Sequence, residues 1–296
     1  MRGVSTSIRG ACLCGAIAFS VSPPYRWFAH CHCSMCRKHH GALFATGLGV
    51  AHDAFRWLDG TDEIVHYRAT AAFERPFCRR CGSTVPAVSH DERYWHVPAG
   101  LLDGDLGAHP RTHIFTASSS PLAPLDDALP KHAAYPPGIT LPIVEIPRAR
   151  AASAAVSGNC LCGSVSFAAA AEPRRLVNCY CSLCRRSRAA AFGSTLLVGT
   201  DVFRWIRGQE RVKRYALPAP RQYATDFCAD CGSLAPSAPA GSATVMLPAG
   251  AIDTPLPRLP AVHLYVGSKA AWHEIRDAWP QFAELPPPER LTELFR

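Results

Sequence analysis

Several common signals of protein class are missing from this sequence of 296 residues. No apolar run approaches the roughly 18 residues that a membrane-spanning helix needs, and the first residues lack the apolar stretch of a secretory signal peptide. There is no G-x-G-x-x-G motif, no phosphate-binding loop and no alternation of strands with helices, which argues against nucleotide binding. We therefore expect a cytoplasmic protein that does not bind a membrane.

Charge is also sparse. Only 18% of the residues are charged, whereas 48% are hydrophobic, so the chain has enough apolar material for packed cores and is not of the disordered class. The net charge of +8 comes from scattered lysines and arginines rather than from a basic stripe, and a nucleic-acid partner is therefore not indicated.

Cysteine, by contrast, is plentiful, and its 14 residues fall into two sets of seven. This content is below the roughly 8–10% of a disulfide-stabilised secreted scaffold, and in a reducing compartment metal binding is favoured over disulfide bonds. The first set is Cys12, Cys14, Cys31, Cys33, Cys36, Cys78 and Cys81, and the second is Cys160, Cys162, Cys179, Cys181, Cys184, Cys228 and Cys231.

The two sets belong to a tandem repeat. The second set follows the first at an offset of 148 for five cysteines and 150 for the last two, and other segments agree. FRW at residues 55–57 matches FRW at 203–205, and PAG at 98–100 matches PAG at 248–250. We predict one domain over residues 6–146 and a second over 154–296, called the first and second copy below, with an Ala- and Arg-rich linker at 147–153.

Short runs rich in strand formers predict mainly β domains with small helical turns. The runs are AIAFSV, IVHYRA, YWHVPAG and HIFTAS in the first copy and SVSFAA, TVMLPAG and HLYVGS in the second. The segment AAWHEIRDAWPQF, residues 270–282, is predicted as a short helix that ends at Pro280. The repeated aromatic pairs Phe55/Phe203, Trp57/Trp205 and Tyr67/Tyr215 are predicted to lie in the cores.

The cysteine spacing indicates zinc. Each copy reads C-x-C, then C-x-C-x-x-C, then C-x-x-C-G. An extended C-x-C directs two thiolates to one face, a C-x-x-C-G knuckle does the same, and two such pairs complete a tetrahedral structural site. Seven thiols cannot fill two four-cysteine sites, so the C-x-C-x-x-C group is the candidate for a reactive zinc with three protein ligands and an open position.

Other interpretations of the cysteines remain. His30 or His32 would complete a purely structural site in the first copy, although the second copy has Asn178 and Tyr180 at these positions. Iron–sulfur proteins use spacings that do not occur here, and nothing resembles the thioredoxin unit that a C-x-x-C redox role would require.

Three sequence blocks resemble the Gfa family, whose founding member is glutathione-dependent formaldehyde-activating enzyme, or S-(hydroxymethyl)glutathione synthase. They are GACLCG (10–15), CHCSMCRK (31–38) and FCRRCGS (77–83), repeated as GNCLCG (158–163), CYCSLCRR (179–186) and FCADCGS (227–233). The resemblance implies a mostly β, Mss4-like (β-tent) fold with two zinc ions per domain.

The resemblance also implies which cysteines bind which zinc. Structural zinc falls on Cys12, Cys14, Cys78 and Cys81, and on Cys160, Cys162, Cys228 and Cys231. Catalytic zinc falls on Cys31, Cys33 and Cys36, and on Cys179, Cys181 and Cys184.

An open zinc suggests the chemistry. Zinc could deprotonate a thiol that enters its fourth position, so that the thiolate attacks an aldehyde carbonyl, or it could polarise the aldehyde oxygen as a Lewis acid, and the sequence does not choose between the two. In either case we expect carbon–sulfur lyase or synthase activity on adducts of glutathione with formaldehyde or a related aldehyde. The alternative is a non-catalytic tandem zinc module that binds glutathione or a protein partner.

Residues after the third cysteine of each C-x-C-x-x-C group are further candidates. Arg37, Lys38, Arg185 and Arg186 could hold a carboxylate of glutathione or could simply offset thiolate charge. His39 and His40 are possible acid–base groups, but Ser187 and Arg188 replace them in the second copy.

The two copies also differ within the motif, where Tyr180 replaces His32 and Ala189 replaces Gly41. If Gly41 takes a positive φ or lets the backbone approach a ligand, Ala189 would obstruct this. We therefore expect stronger thiol binding in the first copy.

Overall fold

A computed structural model describes residues 7–123, 125–144, 146, 154–219, 222–287, 289–290 and 293. The predicted linker at 147–153 and the outermost residues of the two predicted domains, Thr6 and 294–296, lie outside this part of the chain. The described residues form a mainly β structure in two similar copies, as predicted. Neither of the two helices is long and apolar enough to cross a membrane.

Within the described residues, each copy has ten strands and one α-helix with defined ends. The first has β1 (Ile8–Ala11), β2 (Ala18–Val21), β3 (Trp27–Cys31), β4 (Ala45–Val50), β5 (Phe55–Asp59), β6 (Ile64–Val65), β7 (Phe77–Cys78), β8 (Ala87–Val88), β9 (Trp95–Pro98) and β10 (Thr112–Ile114), with helix α1 (Ser34–His40). The second has β11 (Val156–Asn159), β12 (Ser166–Ala169), β13 (Leu176–Cys179), β14 (Gly193–Gly199), β15 (Phe203–Arg207), β16 (Val212–Ala216), β17 (Ala224–Cys228), β18 (Thr244–Pro248), β19 (Ala261–Leu264) and β20 (Gln281–Phe282), with helix α2 (Ser182–Arg188).

The strands of each copy form three sheets. A three-stranded sheet has the order β1-β2-β5 or β11-β12-β15, and a β6-β7 or β16-β17 pair lies apart from it. The third sheet has the order β10-β3-β4-β9-β8 in the first copy and β18-β14-β13-β19-β20 in the second. Its pairs are antiparallel except β10 with β3, β13 with β19 and β19 with β20, so β3 and β13 each have one parallel neighbour.

Aromatic side chains fill the space beneath the first three-stranded sheet. Phe19 of β2 stacks on Phe55 of β5 with ring centroids 5.7 Å apart. Trp57 packs edge-on against both rings, and Trp95 stacks on Phe55. The matching Phe203 and Trp205 pack against the core of the second copy in the same way. The Phe55/Phe203 and Trp57/Trp205 pairs therefore lie in or against the core, whereas Tyr67 and Tyr215 are half-buried and pack against cysteine-containing groups of the opposite copy.

The two copies pack against each other through reciprocal contacts, as in an isologous dimer. A Cβ at Gly82 would lie 2.5 Å from the Phe227 ring, and one at Gly232 would lie 2.3 Å from the Phe77 ring. Phe44 meets its counterpart Phe192 edge-on at 5.5 Å. Because these glycines directly follow cysteines, the interface contacts the cysteine motifs themselves.

Backbone also meets backbone in this interface. The short helical turn at Ala249–Ala251 lies against α1, and a Cβ at Gly250 would come within 2.2 Å of the Arg37 carbonyl oxygen. The equivalent turn at Ala99–Leu101 lies against α2, where a Cβ at Gly100 would come within 2.2 Å of the Ala190 carbonyl oxygen. Only glycine fits at either position.

The predicted helix at 270–282 is wrong. This segment forms no helix, and only Gln281–Phe282 is regular, as β20. Trp272 instead packs edge-on against Phe28 of the first copy, and the Asp277 carboxylate accepts hydrogen bonds from the His263 ring and the Trp279 backbone N–H. These tertiary contacts hold the segment in a non-helical path, because one face of a helix could not make all of them.

Candidate metal centres

Four cysteines come together in each copy from segments far apart in sequence. The groups are Cys12, Cys14, Cys78 and Cys81 in the first copy and Cys160, Cys162, Cys228 and Cys231 in the second, called the four-cysteine clusters below. All sulfur atoms of a cluster lie within 4.8 Å of one another, with Sγ–Sγ distances of 3.3–3.7 Å between the closest neighbours. Zn–S bonds of about 2.3 Å at tetrahedral angles would place sulfur atoms about 3.8 Å apart, so the donor set fits zinc.

Backbone and serine groups orient these thiols. The Ile17 N–H donates to Cys12 Sγ at 3.3 Å, and the Val165 N–H donates to Cys160 Sγ at the same distance. Ser83 lies 3.3 Å from Cys81 Sγ and also accepts the Leu13 N–H. Such outer hydrogen bonds fix metal-binding side chains in their required directions.

The remaining cysteines form a second kind of group, the three-cysteine clusters, which are Cys31, Cys33 and Cys36 in the first copy and Cys179, Cys181 and Cys184 in the second. Cys31 ends β3, and Cys33 is the N-cap of α1, where its extended backbone lets the thiol accept the Cys36 N–H at 3.4 Å. Cys181 caps α2 in the same way. The strand end and the first helical turn therefore direct three thiols to one point.

No fourth metal-binding side chain joins either three-cysteine cluster within the described ranges. His30 Nδ1 is hydrogen-bonded to Thr46 at 2.8 Å, and His32 Nε2 to His113 at 2.8 Å. The structure thus gives no support to the interpretation in which His30 or His32 completes a closed site.

Close packing of the thiols makes one of them acidic. Hydrogen bonds from Cys31 and Cys36 hold the pKa of Cys33 well below its usual range, and those from Cys179 and Cys184 lower the pKa of Cys181 to about 2. The acidic thiol is in both copies the helix N-cap. The neighbouring thiols and burial raise the pKa of Cys31 and of Cys179, so each cluster favours a single thiolate, at the N-cap.

The first three-cysteine cluster has an arginine and a tyrosine beside it. Arg75 Nη2 lies 4.0 Å from Cys36 Sγ, and its buried Nε has no hydrogen-bond partner among the residues that the structure describes. Burial and the three thiols raise the pKa of Tyr135. Sequence reasoning missed both residues, because each lies far from the cluster along the chain.

The second three-cysteine cluster has similar groups from different positions. Burial and the neighbouring Cys184 raise the pKa of Tyr223, and Arg188 partly offsets this rise. The Tyr223 hydroxyl donates to Ser187 at 2.7 Å. Counted back from Phe227, the residue that matches Arg75 is Thr225, so the positive charge comes from α2 instead.

Comparison with known proteins places these clusters in a family. The family model described as glutathione-dependent formaldehyde-activating enzyme, GFA, matches residues 7–118 and again 155–268. The chain belongs to the GFA family. A putative glutathione-dependent formaldehyde-activating enzyme of Halomonas elongata is 34% identical over 118 residues, which is 36% of this chain and 73% of the relative. A crystal structure of a Rhodobacter sphaeroides protein aligns at 23% identity with a TM-score of 0.29, over 32% of this chain and 88% of that one.

In the first GFA copy, His32 lies between Cys31 and Cys33 in the sequence, and its hydrogen bonds are made away from the three-cysteine cluster. His32 is fully buried, and its Nε2 is hydrogen-bonded to His113 Nδ1. His113 Nε2 is in turn hydrogen-bonded to the Asp127 carboxylate at 2.8 Å. Burial and the neighbouring His113 lower the pKa of His32 to about 3. His32 is therefore a neutral, buried member of a hydrogen-bonded chain.

Tyr180 keeps this arrangement in the second GFA copy. Its hydroxyl is hydrogen-bonded to His263 Nδ1 at 2.9 Å, and His263 Nε2 to Asp277 at 2.9 Å. Both histidine–aspartate pairs line a cavity of about 160 Å³ between the copies. The exchange of His32 for Tyr180 thus preserves the hydrogen bond to the same histidine.

Gly41 and Ala189 also adopt the same conformation in the two GFA copies. Gly41 ends α1 with φ +59°, and Ala189 ends α2 with φ +50°. The expected positive φ at Gly41 is therefore observed, and Ala189 accepts it at the cost of some backbone strain. A Cβ at Gly41 would lie 2.9 Å from Leu234 of the second copy, so this position contacts protein.

Three of the four basic residues after the third cysteine already have polar partners within the protein. Lys38 forms a buried ion pair with Asp253, 2.8 Å away, and Arg186 forms one with Asp103 at 2.5 Å. Arg37 Nε donates to the His32 carbonyl oxygen, while the buried Nε of Arg185 has no partner within the described residues. The ion pairs of Lys38 and Arg186 both cross from one copy to the other.

The two candidate acid–base histidines lie in the interface between the copies. His40 Nδ1 is hydrogen-bonded to the Arg188 carbonyl oxygen at 2.7 Å, and burial lowers the pKa of His40 to about 4. His39 is buried and burial likewise lowers its pKa, with the neighbouring His40 adding to the effect. An acid–base role for either residue stays a prediction.

Proposed function

We propose that this chain is a zinc-dependent carbon–sulfur lyase and synthase that acts on adducts of glutathione with formaldehyde or a related aldehyde. The observation that carries the proposal is the three-cysteine cluster, which gathers three thiols around a point that no fourth side chain of the described residues fills. The family description and the name of the Halomonas relative supply the substrate class.

The proposal includes two zinc ions in each of two domains, residues 6–146 and 154–296, in a cytoplasmic protein. The four-cysteine clusters supply closed tetrahedral sites of the structural kind, and the sulfur spacing supports this assignment. The three-cysteine clusters are assigned as the reactive sites. A zinc ion with three thiolate ligands and an open position acidifies a thiol that enters it.

The reaction forms a C–S bond and an O–H bond, breaks the S–H bond and the carbonyl π bond, and needs no oxidant. The thiol sulfur attacks the carbonyl carbon, the C–S bond forms, the carbonyl π bond breaks, and the proton released by the thiol ends on the new hydroxyl. The lyase direction reverses these changes. Arg75 is placed to attract the substrate, because its guanidinium lies beside Cys36 with one N–H unused. A guanidinium binds a carboxylate or a developing oxyanion well.

A rate measurement on the full chain tests the proposal. Exchange between glutathione, formaldehyde and their adduct is followed by NMR with zinc-loaded protein, and we expect faster exchange than the spontaneous rate. Cys33→Ser combined with Cys181→Ser should abolish the acceleration while the fold persists, since the changed sites lack a full ligand set already. Arg75→Gln should weaken glutathione binding in the first copy about tenfold, as one charge-assisted hydrogen bond would predict.

Cys78→Ser is the matched comparison. A structural zinc contributes roughly 10–16 kcal/mol of apparent binding free energy, whereas a domain is stable by only about 5–15 kcal/mol. This variant should therefore melt at much lower temperature or be insoluble. Acceleration that survives in the double variant would refute the assignment of the reaction to the three-cysteine clusters, and glutathione binding without any acceleration by the wild type would favour the non-catalytic zinc module.

A further inference from the structure

The helix that carries each three-cysteine cluster touches the four-cysteine cluster of the opposite copy. Met35 lies between Cys33 and Cys36, is only 3% exposed, and belongs to an apolar group with Cys160, Cys228 and other residues of the second copy. Leu183, at the matching place in α2, packs against the group that contains Cys12, Cys78 and Cys81 of the first copy. The contact is therefore made twice, in reciprocal directions.

Two tyrosines support the same crossed arrangement. Tyr67 of the first copy packs beside the four-cysteine cluster of the second. Tyr215 of the second copy packs beside the four-cysteine cluster of the first. Each four-cysteine cluster is thus enclosed partly by its own copy and partly by the other.

An ion pair fixes α1 in this position. Lys38 follows Cys36 by two residues, and its Nζ donates to the Asn159 carbonyl oxygen at 3.1 Å and to Asp253. Asn159 directly precedes Cys160 in the sequence. Lys38 therefore ties the first three-cysteine cluster to the backbone of the second four-cysteine cluster.

We propose that Met35 and Leu183 are positioning residues that couple each three-cysteine cluster to the four-cysteine cluster of the opposite copy. The inference rests on the proposed binding of zinc by these clusters but not on lyase activity. Loss of metal from the four-cysteine cluster of one copy loosens the packing of the opposite copy's helix, α1 or α2, against that cluster.

Cysteine-resolved alkylation of the full, zinc-loaded chain tests this coupling. Met35→Ala and Leu183→Ala are each treated with N-ethylmaleimide, and the labelling rate of every cysteine peptide is measured by mass spectrometry. In Met35→Ala we expect labelling at least threefold faster in the four-cysteine cluster of the second copy and unchanged labelling in that of the first. In Leu183→Ala we expect the reverse, with faster labelling in the four-cysteine cluster of the first copy and unchanged labelling in that of the second.

Met35→Leu is the conservative control, since leucine occupies the matching position of α2. It should restore wild-type labelling, which a general loss of stability in α1 would not predict. Faster labelling in the four-cysteine cluster of the same copy, equal acceleration in both, or no change in either variant would overturn the coupling. Because no outcome depends on turnover, a protein that lacks lyase activity but labels crosswise would refute the proposed function alone.

Discussion

His273 shows how burial of a single residue should make stability depend on pH. Its ring stacks on Tyr180 with centroids 5.7 Å apart and reaches the cavity between the copies. Burial, with the nearby Lys269 and His263, lowers the pKa of His273 to about 3. The folded chain therefore keeps this imidazole neutral where an unfolded chain, with a pKa near 6.5, would protonate it.

The sign of the effect follows from this depressed pKa. The stabilising contribution is complete above about pH 6.5 and is lost as the pH falls from there toward 3. Between about pH 7.5 and pH 5, we expect the wild type to lose about 2 kcal/mol more unfolding free energy than His273→Asn. Urea denaturation of both proteins at both pH values measures these losses. Both proteins lose zinc at low pH to the same extent, so subtracting one loss from the other cancels that contribution.

The exposed His90 provides a control for the histidine experiment. His90→Asn should lose as much stability on acidification as the wild type does. Equal losses for the wild type and His273→Asn would show that His273 is protonated, or reaches water, in the folded chain.

At the residue scale, sequence reasoning found what spacing encodes. The pairing of thiols within each motif follows from spacing, because a strand places alternate residues on one face and a knuckle brings its two thiols together. The joining of the first and last pairs in one cluster was implied by the resemblance to the Gfa family and agrees with the structure. Arg75, Tyr135 and Met35 were not predicted, since their contacts join segments far apart in the chain or cross between the copies. The available signal was that the first copy has Arg75 where the second has Thr225. This difference alone does not indicate which residues the Arg75 side chain contacts.

At the scale of elements, two glycines with positive φ, one at the end of α1 and one in the loop after Ala99–Leu101, show how a turn is adapted to the interface. Gly41 has φ +59°, and a Cβ there would lie 2.9 Å from Leu234 Cβ. Gly104 has φ +72° and would place its Cβ in open space. The two glycines thus share the backbone requirement, but only Gly41 is also confined by packing.

Alanine at these two positions should separate strain from packing. Gly104→Ala should cost about 1 kcal/mol, the penalty for a left-handed alanine, whereas Gly41→Ala should cost about 2–4 kcal/mol because Leu234 must also move. Urea midpoints of the two variants measure the difference. Equal losses would mean that the neighbouring Leu234 adjusts freely.

Elements were predicted well where local pattern decides and poorly where tertiary contacts do. The run TVMLPAG contains β18 and AIAFSV contains β2, since alternating strand formers suit a sheet with one buried face. In HIFTAS the strand ends at Ile114, and a helical turn follows at Thr116–Ser118. The segment 270–282 has a helical composition, yet Trp272 and Asp277 are held by partners that its own sequence does not indicate.

At the scale of the whole molecule, the tandem repeat could be read from the sequence, but the joining of its copies could not. Repeated blocks show that two similar units exist, and nothing in their spacing states that Phe77 meets Gly232 or that Phe227 meets Gly82. In the described part of the chain the two copies share buried apolar surface, ion pairs and backbone contacts. We therefore treat the full chain, rather than either predicted domain, as the unit for experiment.

Two of the ion pairs between the copies, Lys38 with Asp253 and Arg186 with Asp103, are matched in position but not in burial. Lys38 and Asp253 have side chains that are each 2% exposed, whereas those of Arg186 and Asp103 are 26% and 50% exposed. Burial lowers the pKa of Lys38, and Asp253 partly offsets this. The first pair is thus desolvated on both sides, and the second is screened by water.

Removal of each cation should therefore have unequal effects on the whole molecule. Lys38→Met leaves the Asp253 carboxylate buried without its neighbouring cation, and we expect a loss of about 3–5 kcal/mol in unfolding free energy. Arg186→Met should cost less than about 1 kcal/mol, as exposed pairs do. Adding Asp253→Leu to Lys38→Met should recover most of the loss, because the uncompensated charge is then gone. Chemical denaturation of the full chain checks all three, and similar costs for Lys38→Met and Arg186→Met would show that water reaches the Lys38 pair when the copies are together.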